Sequence, residues 1–295
     1  MPHQTSTLEH ITVRGLRYGV RHWGDPSAPV VFFLHGWMDS SPTFQFVVEA
    51  MTKSWHVIAP DWRGYGQSEW LSRPYWFPDY YADLHVILDH YAKEPVRLVG
   101  HSMGANIASI YAGLRPERVA QLVMLDFVGL AIPTETDGAK QLSHWLSVVL
   151  EAPQMRAYPT HDALSRRLMS ANPRLTDVRA DCLARALSYV RPDGQIALAC
   201  DPWHKIASPT LYRVEDAMAS WQRITAPVLL LMADQGFIHQ RFDSDPDELQ
   251  RRLQCFKDRQ VITIANSGHN VQHDQPEQVA NVLDAFLTVS AHVEN

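Results

Sequence analysis

The chain has 295 residues, 46% hydrophobic and 20% charged, with a formal net charge of −6 at pH 7. That length suits one large α/β domain with room for an inserted subdomain, and the ordinary apolar share argues against disorder. Acidic and basic residues are interspersed without a basic stripe to neutralise a phosphate backbone, which argues against nucleic acid as a partner.

The N-terminal stretch lacks a basic region followed by an apolar core, and no apolar run approaches the ~20 residues that span a bilayer. The expectation is a cytoplasmic protein with no membrane partner. Cys182, Cys200 and Cys255 form no C-x-x-C pair and leave an odd count. Buried free thiols are therefore expected rather than disulfides or metal ligands.

In chain order, residues 11–23 alternate around Gly15 and read as an antiparallel hairpin. Residues 29–34 form a continuous apolar run, the mark of a strand buried on both faces, and end at His35-Gly36-Trp37. A helix is expected through Phe44, Val47, Val48 and Met51, then a strand at 55–59 closed by Pro60-Asp61-Trp62-Arg63-Gly64. A helix at 81–91 leads to an apolar β-branched run from Val96 that ends in Gly100-His101-Ser102-Met103-Gly104 and continues with helical periodicity. Residues 121–125 form another strand, ending at Asp126.

There the strand-helix rhythm stops. Residues 131–222 show no strong strand, only helical patterns at 141–151, 161–170, 176–190 and 211–221, punctuated by prolines from Pro133 to Pro209. The rhythm resumes with a strand at 227–232, a helix at 249–256, a strand at 260–264 and a last helix at 276–287. This gives a core of residues 1–130 and 223–295, with 131–222 as a helical cap whose aromatic residues include Trp145, Tyr158, Tyr189, Trp203, Tyr212 and Trp221. The rhythm predicts an α/β fold with a mostly parallel twisted sheet covered by helices on both faces. Ligands bind such sheets at the carboxyl ends of strands, where His35, Asp61, Ser102, Asp126 and His269 all fall.

G-x-S-x-G between a strand and a helix is the setting of a nucleophile elbow: the glycines permit a tight turn and Ser102 is held on a strained backbone. A serine hydroxyl needs an adjacent base, and the base needs a group that orients it. Among the 15 histidines, His269 sits in a small loop between the last strand and the last helix, at the carboxyl edge of the sheet. His35, His101 and His273 read as structural. Asp126 and Asp234 both follow strands that end close to His269, and either can serve as the acid. No cluster has metal-ligand spacing, and no cofactor is implied.

The motifs Leu34-His35-Gly36-Trp37, Asp61 to Ser68, Gly100 to Gly104 and Ser267-Gly268-His269, in this order, resemble those of the α/β-hydrolase superfamily over nearly the whole chain. Leu125-Asp126-Phe127 is similar to the serine-hydrolase-like branch. Most members carry the acid after the strand at 227–232 in a G-x-x-D pattern; matched here, that pattern puts Ala233 at the glycine and Gly236 at the aspartate. The resemblance therefore favours Asp126, placed as in many haloalkane dehalogenases, over Asp234. It also implies that the backbone amides of Trp37 and Met103 form an oxyanion hole, and that Arg63 ties neighbouring groups together.

The expected activity is that of a serine hydrolase of the carboxylesterase type, cleaving a small apolar or aromatic ester without a cofactor, as a monomer or homodimer. A C–C bond hydrolase and a cofactor-free dioxygenase of the quinolone-cleaving type are alternatives on the same fold. A non-catalytic binding protein is the alternative of a different class.

Overall fold

The structure, a computed structural model, describes residues 5–131, 137–151 and 153–289; Pro133, with the rest of 132–136, and residues 1–4, 152 and 290–295 lie outside them. The apolar runs form the strands β1 (Thr7–Val13), β2 (Leu16–Trp23), β3 (Val30–Leu34), β4 (His56–Pro60), β5 (Val96–His101) and β6 (Val119–Leu125). Two short strands come next, β7 (Ser188–Val190) and β8 (Ile196–Leu198), and then β9 (Val228–Ala233) and β10 (Arg259–Ile264).

Eight of these make one sheet in the order β1-β2-β4-β3-β5-β6-β9-β10. The pairs from β4 to β10 are parallel, and the hairpin β1–β2 joins β4 antiparallel. The helices are α1 (Gln45–Ala50), α2 (Pro78–Tyr91), α3 (Met103–Leu114), α4 (Gly138–Val148), α5 (His161–Ala171), α6 (Asp177–Ala186), α7 (Val214–Trp221), α8 (Phe237–Phe242), α9 (Pro246–Leu253), α10 (Val271–Asp274) and α11 (Pro276–Thr288).

The continuous apolar runs have a simple cause. Successive side chains of a strand point to opposite faces, and here each face carries its own core. Phe32 and Leu34 of β3, Leu122 and Met124 of β6 and Leu230 of β9 pack with α2, α3 and α7. Val31 and Phe33, Val123 and Leu125, and Leu229 and Leu231 pack on the other face with α1 and α11. All of these strand residues are fully buried.

The segment between β6 and β9 departs from a purely helical reading. It contains the antiparallel pair β7–β8, so the helix expected at 176–190 stops at Ala186 and its last residues become a strand. Three-residue strands are too short to leave a period-2 signal. The turn between them does carry a signal, because Pro192-Asp193-Gly194 with Gly194 at φ 80° is turn chemistry. The final helix of the segment, α7, packs on α3, where a β-carbon at Gly113 would meet the Ser220 carbonyl at 1.9 Å. Trp221 is thereby buried in the main core, and its Nε1 donates to Ser109 Oγ at 3.0 Å. The three cysteines are free thiols; Cys200 and Cys255 are buried, whereas Cys182 is half-buried.

Candidate active site

The turn from β5 into α3 is closed by contacts that only glycine allows. A β-carbon at Gly100 would lie 2.5 Å from the Ala105 amide, and one at Gly104 would lie 2.0 Å from the Leu34 carbonyl oxygen. Ser102 is left at φ 51°, ψ −113°, a conformation that costs a residue with a β-carbon on the order of 1–3 kcal/mol. Its hydroxyl does not cap α3 and is free for another partner.

That partner is His269. Its Nε2 stands 3.0 Å from Ser102 Oγ, and its Nδ1 stands 2.8 Å from Asp126 Oδ2. Since a carboxylate only accepts, Nδ1 carries the proton and Nε2 accepts from the serine hydroxyl. Asp126 is fully buried, with φ 46° at the end of β6. Two backbone amides also donate to it: Ala233 to Oδ1 at 3.2 Å and Phe237 to Oδ2 at 2.6 Å. Asp234 points elsewhere. Its two oxygens accept the amides of Asn266 and Ser267, each at 2.9 Å, and these bonds hold its carboxyl below the usual carboxylate range, with Ser267 the larger influence.

A family model described as alpha/beta hydrolase fold matches residues 29–276. The chain belongs to this family. It is 30% identical over 278 residues to a serine hydrolase-like protein of Danio rerio, covering 90% of this chain and 83% of that one. It is 27% identical over 267 residues to an esterase of Mycobacterium tuberculosis, covering 90% of this chain and 84% of that one. The thioesterase domain from the curacin biosynthetic pathway superposes with a TM-score of 0.84 at 23% identity, covering 95% of this chain and 99% of that domain, a likeness of fold.

In this α/β-hydrolase fold the other histidines near the elbow are spoken for. His35 donates from Nδ1 to the Gly36 carbonyl at 2.8 Å and accepts the Trp62 amide at 2.9 Å, tying the loop after β3 to the loop after β4. His101 donates from Nε2 to the His269 carbonyl at 2.8 Å, and Gln272 donates to its Nδ1 at 3.3 Å. It thus grips the backbone of the residue that faces Ser102. His273 pairs with Thr43 Oγ1 at 2.6 Å. Burial pushes all three down, His35 and His273 to about 4.

Met103 follows Ser102 directly, and Trp37 follows Gly36 in the loop after β3. The backbone after β3 lies on the elbow, so that a β-carbon at Gly36 would be 3.3 Å from Ser102 Cβ. Met103 opens α3, where helix amides have no intrahelical acceptor. The Trp37 side chain is 54% exposed, and its Nε1 donates to the His204 carbonyl at 3.4 Å. Arg63 grips Asp83 through Nε at 2.5 Å and Nη2 at 2.6 Å, and reaches Asp79 at 2.8 Å. It braces α2 and does not face Ser102.

Sequence reading missed the two amides on Asp126, because backbone donors leave no mark in residue identity. It also missed the grip of His101 on His269. The only signal for that was the position of His101 beside the elbow. No helix among the described residues is long and apolar enough to cross a membrane.

Proposed function

We propose that the protein is a serine hydrolase that cleaves small esters through an acyl-enzyme. The observation that carries this reading is the unbroken relay from Ser102 Oγ through His269 to Asp126, at 3.0 and 2.8 Å. Ser102 Oγ attacks the ester carbonyl carbon while His269 Nε2 takes its proton. The carbonyl oxygen becomes an oxyanion, bound by the amides of Trp37 and Met103 and favoured by the positive end of α3. Collapse expels the alcohol oxygen, which receives the proton from His269. Water then repeats the attack on the acyl-serine, giving the acid and free Ser102. Asp126 fixes the His269 tautomer and stabilises the imidazolium.

Residues 131–222 act as a cap on the site in this reading. The contacts of Trp37 with the His204 carbonyl and of Asn172 with Asp274 support it, since they tie the segment to the loop after β3 and to α10, which begins just after His269. The aromatic side chains of the segment favour an apolar or aromatic part of the ester.

The test is labelling by a fluorophosphonate probe together with hydrolysis of 4-nitrophenyl esters. Wild-type protein should label and turn over, and Ser102→Ala should do neither. Full ester turnover by Ser102→Ala overturns the proposal.

A further inference from the structure

Arg241 has no role in the relay and, among the described residues, no counter-ion. It lies on α8 one turn beyond Phe237, with its guanidinium carbon 3.6 Å above the Phe237 ring. The Phe237 ring is itself 5.1 Å from the His269 ring, so Arg241 stands one aromatic ring away from the relay. Nη1 donates to the Gly129 carbonyl at 2.9 Å. No carboxylate pairs with the guanidinium among the described residues, and the charge that acts on it most is another cation, Arg252.

Acids in the neighbourhood are already engaged. Glu248 pairs with Arg252 at 2.7 Å and with Arg251 at 2.5 Å. Asp243 pairs with His239, and Glu215 faces Arg251. Arg252 also donates to the carbonyls of Val128 at 3.1 Å and Leu130 at 2.7 Å. Burial and Arg252 together lower the Arg241 guanidinium to about 10, which leaves it charged at neutral pH. A half-buried cation set beside a second one is unfavourable unless something of opposite sign completes the arrangement.

A second unpaired donor stands at the same place. The Tyr212 hydroxyl is buried beside the Leu130 backbone and donates to no acceptor among the described residues. Gly129, at φ 88°, is where these groups converge: a β-carbon there would lie 2.9 Å from Arg252 Nη1 and 3.2 Å from the Tyr212 hydroxyl. Gly129 is three residues past Asp126, so the cluster sits on the loop that follows Asp126, and the Phe237 ring joins it to His269.

We infer that Arg241, with the Tyr212 hydroxyl beside it, binds a carboxylate of the substrate, so that the esters this protein takes are anionic. The planar guanidinium matches a carboxylate through parallel N–H donors, and Tyr212 supplies a neutral third. The inference deepens the ester-hydrolase reading and relies on it only for the bond cleavage that comes after binding.

Binding can be measured in Ser102→Ala protein, which holds an ester without cleaving it. Two matched pairs place the charge on either side of the bond. Mono-4-nitrophenyl glutarate is compared with its neutral isostere 4-nitrophenyl 5-methylhexanoate, and 4-acetoxybenzoate with 4-isopropylphenyl acetate. The anionic member of at least one pair should bind roughly 10- to 100-fold more tightly by calorimetry, the range of a charge-assisted hydrogen bond. Adding Arg241→Gln should collapse that ratio toward one, and Arg241→Lys should keep part of it. Equal affinity within both pairs overturns the inference, as does a ratio that Arg241→Gln leaves unchanged. Wild-type protein that hydrolyses none of the four esters, while the ratio stands, overturns the hydrolase reading and leaves the carboxylate site in place.

Discussion

The carboxylate of Asp126 occupies the space that a side chain at Gly236 would need. A β-carbon built on Gly236 would stand 2.4 Å from Asp126 Oδ2 and 2.6 Å from Oδ1. Gly236 is the position where the common family pattern has its own aspartate. On the proposed reading the acid comes from the end of β6 and fills the station that the loop after β9 would otherwise supply. The Phe237 amide, at the start of α8, serves it there.

Gly236→Ala should cripple catalysis with little loss of fold. Gly236 has φ −88°, which any residue adopts, so the effect of alanine is steric: its β-carbon would meet both Asp126 oxygens and, at 2.6 Å, the Ala233 β-carbon, and of these the Asp126 side chain gives way most readily. A fall in kcat of roughly 10²- to 10⁴-fold is expected, the range for losing the group that orients a catalytic histidine. Moving the acid should rescue part of this. Asp126→Gly suits the backbone at φ 46°, and Gly236→Asp puts a carboxylate at the vacated station. The double variant should exceed Asp126→Gly alone by about tenfold or more in 4-nitrophenyl ester hydrolysis. A double variant no better than the single one shows that the two stations are not interchangeable.

Asp126→Asn and Asp234→Asn should separate cleanly. Three N–H donors converge on Asp126, and asparagine offers one oxygen where the carboxylate offers two, so its NH₂ meets either the Ala233 amide or both the Phe237 amide and His269 Nδ1, and in the second orientation His269 loses its tautomer. Turnover should drop roughly 10³- to 10⁴-fold. Asp234→Asn weakens two amide bonds in the loop before His269, and less than about a tenfold loss is expected. The Asp234 carboxyl is more acidic folded than unfolded, so its stabilising contribution is full above the unfolded value near ~4 and is lost as pH falls through the lower folded value. The gap in melting temperature between wild type and Asp234→Asn should hold at neutral pH and narrow as pH falls below the unfolded carboxylate value. Labelling that survives Asp126→Asn and vanishes in Asp234→Asn reverses the assignment.

What could be read in the sequence depended on the distance over which each feature is specified. β3, β5, β6 and β9 announced themselves because both of their faces are buried, which makes nearly every residue apolar. The elbow was legible because Gly100 and Gly104 are demanded by contacts within a short stretch or with the adjoining strand. α8, with six residues, and α10, with four, are too short for a helical period to show. The choice between Asp126 and Asp234 rests on a contact between residues 143 positions apart, and only resemblance to a family pointed to it. Phe237 and Ala233 act through backbone amides, which every residue but proline has.

His101 should prove to be a positioning residue for His269. Its Nε2–H holds the His269 carbonyl at 2.8 Å, and His101→Leu leaves that carbonyl without its partner and the Gln272 amide with Thr43 Oγ1 alone. A loss of ~1–3 kcal/mol in stability is expected, with kcat down about tenfold and KM little changed. Burial keeps His101 neutral, so the loss should be the same across the pH profile. His101→Gln can still donate to the carbonyl and should restore most of the turnover. If His101→Gln and His101→Leu are equally impaired, the hydrogen bond is not what positions the base.

Ser102→Gly should melt above Ser102→Ala. Both remove the hydroxyl and its contact with His269, and the hydroxyl caps no helix, so the two variants differ only in the β-carbon. Alanine keeps that carbon at φ 51°, ψ −113° and retains the strain of the elbow. Glycine releases strain of about 1–3 kcal/mol, offset by ~0.5–1 kcal/mol from its greater freedom in the unfolded chain. The net gain of about 1 kcal/mol corresponds to about 2–4 °C in melting temperature for a domain of this size. Equal melting of the two variants removes the strain from the account of the elbow and leaves Gly100 and Gly104 as its only steric requirement. A higher Tm for Ser102→Gly shows that the nucleophile is held in place at the expense of stability, the pattern expected where function and not folding fixes a backbone conformation.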